Sequence, residues 1–301
     1  MHVAVCCITF HRPDGLRRLL DGLERLTFER VSAPRVTVIV VDNDAAEPMR
    51  GMIEAMRPAF RWPLVYASEP VQGVASARNR YLDLVPGGAD YIASIDDDEV
   101  PVPGWLDALL DVARRHGARI VQGPVCPDFV EAPPGWVARG RFLELGPYQD
   151  GATLHFGYAG NCLIDTAVVR ELGLRFDARF NRTGGEDQHF FGIAQAAGIR
   201  IVTARDAIIH ETVPPQRMRL GYLLRRRFRM GNTLAMIDRI EGRAGGRLKR
   251  ALKGCGRLGV GAGQCVLLAP RGLAGVATGL CNMAWGFGAL IGLLGLRYRE
   301  Y

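Results

Sequence analysis

Tyr91-Ile92-Ala93-Ser94-Ile95-Asp96-Asp97-Asp98-Glu99 reads as an apolar strand that runs directly into four consecutive acids. Side chains alternate along a strand, so an extended chain would set Asp96 and Asp98 on one face and Asp97 on the other. Carboxylates crowded in this way repel one another and attract a cation. Hard oxygen ligands at a strand end suit Mg2+ or Mn2+, ions that keep several waters and bridge to substrate phosphates. An isolated acid run is also compatible with a solvated turn, so the flanking sequence has to decide.

The same pattern occurs twice earlier in the chain. Residues 3–9 form an apolar run ending in Thr9-Phe10-His11-Arg12, and residues 36–41 form another ending in Asp42-Asn43-Asp44. Between them Leu16, Leu19, Leu20, Leu23 and Leu26 recur at helical spacing after Pro13-Asp14. Residues 74–84 read as a helix, and Trp105, Leu106, Leu109, Leu110 and Ala113 mark another. Continuous apolar strands alternating with helices imply an α/β fold, with a mainly parallel sheet covered on both faces and ligands at the carboxyl ends of its strands. The three polar endings would then share one rim. Further on, Pro133-Pro134-Gly135 and several aromatics suggest irregular loops over 124–150, and a strand is expected over 155–164. Asp165 would cap a short helix through Glu171, Gly184-Gly185-Glu186-Asp187 opens another helix, and a strand over 199–203 precedes Ile208-Ile209-His210-Glu211.

With 301 residues the chain can bury a full α/β core. Its formal charge of +7 is carried almost entirely by arginine, lysine occurring only at Lys249 and Lys253. No Gly-Lys-Ser/Thr tripeptide exists, which excludes a P-loop, and G-x-G-x-x-G after a strand, G-x-S-x-G and H-E-x-x-H are absent too. Seven cysteines, odd in number and without C-x-x-C spacing, indicate neither a disulfide framework nor a zinc site and fit a reducing cytosol. Met1-His2-Val3-Ala4-Val5 enters a strand without signal-peptide features, so the catalytic part is expected on the cytoplasmic side.

The tail differs in kind. Asp238 and Glu241 are the only acids between Arg217 and Arg257, among many arginines that include Arg225, Arg226, Arg227 and Arg229. Uncharged runs follow over residues 258–270 and 273–296. The longer exceeds the roughly 20 residues a membrane-spanning helix needs and holds Gly275-x-x-x-Gly279 and Gly288-x-x-x-Gly292, spacings that permit close helix packing in lipid. Its glycines dilute the apolar character. A spanning helix, a re-entrant or interfacial hairpin and a soluble helix pair therefore all stay open. The arginines before it would suit anionic headgroups or a lipid pyrophosphate, whereas they lack the aromatic interleaving of a nucleic-acid surface.

Taken in order, these motifs over about residues 1–235 resemble the family-two glycosyltransferases of the GT-A fold, especially bacterial succinoglycan-type exopolysaccharide glucosyltransferases. Cys7-Ile8-Thr9-Phe10-His11-Arg12-Pro13 looks like the family's first strand and loop, and Val40-Val41-Asp42-Asn43 like its second nucleotide contact. Gly73-Val74-Ala75-Ser76-Ala77-Arg78-Asn79 resembles its G-x-x-x-A-R-N helix start, Asp96-Asp97-Asp98 its D-x-D, and Gly185-Glu186-Asp187 the segment that supplies its base.

The resemblance implies an enzyme that transfers a sugar with inversion from a nucleotide-sugar donor, expected to be a UDP-sugar, to a hydroxyl of a lipid-linked or saccharide acceptor. Thr9 and Arg12 would line the nucleotide pocket, Asp42 would accept from the uracil edge, and Arg78 would reach the base or diphosphate. Asp98 would hold Mn2+ or Mg2+, Asp96 the ribose or a water on the metal, and Asp97 has no single assigned role. His210 would either complete the metal site or serve as an ordinary core or surface histidine, and Asp187 would be the general base with Glu186 shaping acceptor binding. His11 departs from the small polar or basic residue expected there, and the absence of a Q-x-x-R-W box at Arg226-Arg227-Phe228-Arg229 points to a non-processive enzyme. Residues 236–301 would form a basic, membrane-associated or transmembrane region, which places the enzyme at the cytoplasmic face of the inner membrane. The rival readings are a polyprenyl-phosphate sugar transferase, whose ionised acceptor needs no base, and a non-catalytic nucleotide or lipid-pyrophosphate binding protein.

Overall fold

A computed structural model describes residues 1–146, 148–242 and 245–298. They divide into two compact units, the first comprising Met1–Pro127, Glu144–Asn181 and Glu186–Glu211, the second Asp128–Leu143, Arg182–Gly185 and Thr212–Tyr301.

The first unit is built on an eight-stranded sheet. Its strands are β1 (His2–Thr9), β2 (Arg35–Asp42), β3 (Leu64–Ser68), β4 (Tyr91–Ser94), β6 (Ile120–Gln122), β8 (Thr153–Leu154), β9 (Cys162–Asp165) and β10 (Ile201–Thr203), in the order β3-β2-β1-β4-β9-β6-β10-β8. β1 pairs in parallel with both β2 and β4, and the register sets Thr9 beside Asp42. The chain steps outward from β1 to opposite sides, making this the switch point where an open α/β sheet leaves a crevice at its carboxyl edge. β9 runs antiparallel between β4 and β6. The strand expected over 155–164 thus begins only at Cys162, after a loop that includes Asn161 at φ 49°.

Alternation along β1 divides the core. Val3, Val5 and Cys7 pack with Leu16, Leu19, Leu20 and Leu23 of α1 (Pro13–Glu24) and with Trp105, Leu106 and Leu109 of α4 (Trp105–His116). Ala4 and Cys6 face the opposite way, toward Ala75, Ala77 and Tyr81 of α3 (Val74–Leu84) and Phe190 and Phe191 of α7 (Glu186–Ala196). Along the chain the remaining elements before α7 are α2 (Arg50–Met56), the short strand β5 (Glu99–Pro101), β7 (Val125–Phe129), α5 (Gly135–Gly140), which belongs to the second unit, and α6 (Thr166–Glu171). Asp165 caps α6 as expected, accepting from the Ala167 N–H at 2.7 Å. Asp107 in the first turn of α4 accepts from the backbone N–H groups of Glu29, Arg30 and Val31, holding the loop after α1.

In the second unit, α8 (Leu220–Glu241), α9 (Gly246–Leu267) and α10 (Leu273–Leu293) pack together. Residue 235 lies inside α8. Glycine lets the backbones touch. A Cβ on Gly288 would stand 2.0 Å from the Phe228 carbonyl of α8, and one on Gly286 would stand 2.6 Å from the Gly254 carbonyl of α9. The small-residue spacings of α10 therefore serve packing inside this chain. Among the described residues α10 is the one helix long and apolar enough to cross a membrane.

Candidate active site at the carboxyl edge of the sheet

β4 stops at Ser94, before the acids. The Glu99 N–H donates to the Asp96 carbonyl at 3.1 Å, and the Asp96 N–H donates to Glu99 Oε2 at 2.8 Å, so the four acids wind into a turn. The two-face arrangement expected of an extended strand does not form. A turn lets Arg78 meet Asp96, Arg12 meet both Asp97 and Asp98, and Glu99 accept from the Asp96 N–H, which offsets part of their mutual repulsion.

Thr9, at the end of β1, donates from Oγ1 to Asp97 at 2.8 Å, and Arg12 Nη1 donates to Asp97 at 2.9 Å and to Asp98 at 3.1 Å. Arg78 Nη2 donates to Asp96 at 2.8 Å. Burial pushes the Asp97 carboxyl up to about 6, against the pull of Arg12 and with added repulsion from Asp98. Glu99 is raised further by burial and by the charges of Asp96 and Asp98.

Arg78 is 5% exposed. Besides Asp96 it meets Ser94 Oγ at 3.4 Å, and its Nε lies 3.4 Å from Glu186 Oε1 at the start of α7. Phe176 presents its ring 5.9 Å from the guanidinium. Burial alone would lower the Arg78 pKa, but Asp96, Glu186 and Asp187 outweigh it and hold the group firmly charged. Glu186 is pushed up to about 7, first by burial and then by the neighbouring Asp187 charge, with Arg78 opposing. Asp187 is half-buried, and its Oδ1 accepts from the Gln188 N–H at 2.7 Å. Arg78 thus ties the acid turn to the Glu186-Asp187 pair.

The rest of the G-x-x-x-A-R-N segment fixes that arginine. Gly73 enters α3 at φ 140°, a conformation that L side chains rarely adopt, and its N–H donates to Asn43 Oδ1 at 2.8 Å. Asn43 also donates to the carbonyls of Glu69 and Val71, binding the loop before α3 to the end of β2. Asn79 exchanges two hydrogen bonds with the backbone of Phe176, which places the ring that faces Arg78.

Asp42 is fully buried. Its Oδ2 accepts from the Tyr66 hydroxyl at 2.8 Å and from the Met49 N–H at 3.1 Å, while its buried Oδ1 has no hydrogen-bond partner. Burial raises its pKa, against the Tyr66 hydrogen bond. Nearby His11, at φ 55°, pairs with Asp44 at 2.6 Å.

His210 is exposed on β11 (Ile209–Val213), across from Val100 of β5. Among the described residues no group of three or more His, Cys, Asp or Glu side chains is arranged around one metal position. The acid turn nevertheless offers two half-buried carboxylates, Asp96 and Asp98. That donor set fits a hard cation completed by water and substrate phosphate, the usual habit of Mg2+ and its analogues, and does not fit an all-protein cage. Glu99, Ser94, Asn43, Tyr66 and Phe176 were not singled out by sequence. Of these, Glu99 carried a signal as the fourth member of the acid run and Asn43 as part of Val40-Val41-Asp42-Asn43.

Residues 4–173 match the family described as Glycosyl transferase family 2. The succinoglycan biosynthesis protein ExoM of Rhizobium meliloti is 35% identical over 234 residues, covering 77% of this chain and 74% of that protein. A glucosyl-dolichyl phosphate glucuronosyltransferase of Haloferax volcanii is 24% identical over 255 residues, covering 78% and 76%. Among solved structures, the mannosyltransferase PcManGT from Pyrobaculum calidifontis, in complex with GDP-Man and Mn2+, superposes with a TM-score of 0.60 at 18% identity, covering 96% of this chain and 86% of that one. Residues 1–349 of S. aureus TarS, in complex with UDP-GlcNAc, give a TM-score of 0.54 at 16% identity, covering 99% and 93%. These likenesses show the GT-A fold with its mainly parallel central sheet.

Proposed function

The chain belongs to glycosyl transferase family 2 and is a glycosyltransferase related to succinoglycan biosynthesis proteins, and from that footing we propose an inverting transfer of a sugar from a UDP-sugar to a hydroxyl of a lipid-linked saccharide. The observation that carries this reading is Arg78, which joins Asp96 of the acid turn to Glu186 beside Asp187. Donor-binding acids and a candidate base thereby belong to one connected site at the β1/β4 switch point.

Asp187 takes the acceptor proton as the hydroxyl oxygen attacks the anomeric carbon from the face opposite the diphosphate. The bond from that carbon to the diphosphate oxygen breaks, and the electron pair leaves with the diphosphate. Such a base contributes about 10²- to 10⁴-fold. Arg78 keeps Asp96 and Glu186 in place, and Arg12 and Thr9 hold Asp97 and Asp98. Asp98 and Asp96 would bind Mn2+ or Mg2+, which when present neutralises charge on the departing diphosphate. Asp42 supports a uracil base, because its single unpartnered buried oxygen matches the one imide N–H of uracil, whereas guanine presents two adjacent donors. A lipid-linked saccharide acceptor agrees with the glucosyl-dolichyl phosphate in the name of the archaeal relative. Such an acceptor would set the enzyme at the cytoplasmic face of a membrane.

Calorimetric titration with UDP, GDP and ADP, with and without Mn2+, tests the donor site. Metal-strengthened preference for UDP, weakened in Asp98→Asn, is expected. Asp187→Asn should keep UDP affinity and lose about 10²- to 10⁴-fold in kcat. Near-normal transfer by that variant would remove the base from Asp187 and favour an acceptor that is already ionised, such as a polyprenyl phosphate.

A further inference from the structure

The helices of the second unit carry an apolar face that the transfer chemistry does not use. Residues Leu248, Leu252, Cys255, Gly259, Ala262 and Val266 are all exposed and follow one another at intervals of four and three along α9. That spacing sets them in one line on the side of the helix away from Gly254 and Gly261, which are buried where α10 approaches. Leu248 and Leu252 are 66% and 65% exposed and Val266 73%, unusual for a row of aliphatic side chains. The line from Leu248 to Val266 extends over about 27 Å of this helix.

Charge flanks the line on one sign only. Arg247 and Lys249 are exposed beside its first half. On the opposite side of α9, Arg250, Lys253 and Arg257 surround the Trp285 ring of α10, at 5.8, 5.7 and 4.4 Å. No acid occurs between Glu241 and Glu300. A second copy of this helix would bring more cations and no counter-charge, whereas an anionic lipid surface supplies what is missing.

The same charges decide the orientation. α10 has the length to span, but two of its faces are occupied, Gly288 against Phe228 of α8 and Gly286 against Gly254 of α9. Inserting the hairpin of α9 and α10 end-on would carry Arg271 at its tip or Arg257 midway along α9 into hydrocarbon, where the cost of a cation rises with depth. Lying flat, α9 sinks only its apolar line, keeps Arg247 and Lys249 at headgroup level and turns Arg250, Lys253 and Arg257 away from the lipid.

We infer that α9 is an in-plane membrane-docking helix that binds anionic phospholipid surfaces through the line from Leu248 to Val266 and its flanking basic residues. The inference adds a surface and a geometry to the membrane association proposed above, and it is read without any sugar substrate. The test is flotation of the full chain with preformed vesicles of phosphatidylcholine, with and without phosphatidylglycerol, alongside UDP binding on the same protein. Binding to the anionic vesicles that weakens with salt is expected. Leu248→Asp combined with Leu252→Asp should lower it at least about tenfold with unchanged circular dichroism, and Arg247→Glu with Lys249→Glu by a similar factor on anionic vesicles alone. Vesicle binding unaffected by both pairs would overturn the assignment to α9, as would resistance of the bound protein to alkaline carbonate extraction, the mark of a spanning helix. So would a dimer that the Leu pair dissociates while vesicle binding persists, since the line would then belong to a second copy. Absent vesicle binding with intact UDP affinity would sink this inference and leave the donor site standing. Intact vesicle binding without UDP affinity would do the reverse.

Discussion

Two arginines expected on the nucleotide also hold the protein's own carboxylates. Arg12 serves Asp97 and Asp98, and Arg78 serves Asp96 and Glu186. Residue type and spacing announce that anions gather at this rim, but they do not say whether an arginine will meet the ligand's charge or the chain's own, because the attraction is the same. The electrostatic consequence is measurable at Glu186. Its carboxyl sits near 7 when folded, against an ordinary value near 4.5. Between those pH values the folded chain keeps a proton that the unfolded chain releases, so this group's stabilising contribution is full below about 4.5 and is lost as pH rises through about 7. Glu186→Gln cannot ionise. Urea denaturation of wild type and variant across pH 5 to 8 should show the variant gaining relative stability with rising pH, on the order of 2–3 kcal/mol. A constant difference across that range would mean that Glu186 is already ionised at pH 5.

Helices and strands of the α/β part were legible where a single periodicity governed them, as in the leucines of α1 and the apolar runs of β1 and β2. Strand direction was not, because an apolar run carries no mark of which way it will lie. β9 therefore enters the sheet antiparallel without warning. β4 ended sooner than its pattern suggested because the acids meet Arg12, Arg78 and Thr9 better from a turn. Glycine obscured α9, whose pattern weakens just where its backbone touches α10. At Gly288 of α10 the contact is with the Phe228 carbonyl of α8, which cannot swing aside as a side chain could. Gly288→Val should cost about 3 kcal/mol or more in urea denaturation, the upper end for overpacking. Gly256 lies on α9 with nothing within 4 Å of an added Cβ. Gly256→Ala should be neutral or stabilising by about 0.5–1 kcal/mol through helix propensity alone. Equal effects at the two positions would contradict the packing described.

Across the whole chain the charge is segregated. The first 241 residues hold 29 basic and 30 acidic side chains, and the last 60 hold nine basic and one acidic, so the formal +7 belongs to the tail. A single net figure hides that division. If the tail serves a surface and the sheet edge serves the donor, salt should act on one task alone. Turnover on an acceptor carried in anionic vesicles should fall steeply between low and physiological ionic strength, while turnover on a short water-soluble acceptor should change little. Parallel loss on both would place the salt-sensitive contacts in the active site itself. The glycine contacts between α9 and α10 have a further outcome, in evolutionary terms. Every single-base change in a glycine codon that alters the residue adds at least a Cβ, and at Gly254, Gly261, Gly279 and Gly286 that atom meets a facing backbone. Descendants that keep this helix pair can vary those positions hardly more than their acidic turn. An alignment of them would display a glycine signature as invariant as a catalytic motif, though its cause is steric and no substrate ever touches it.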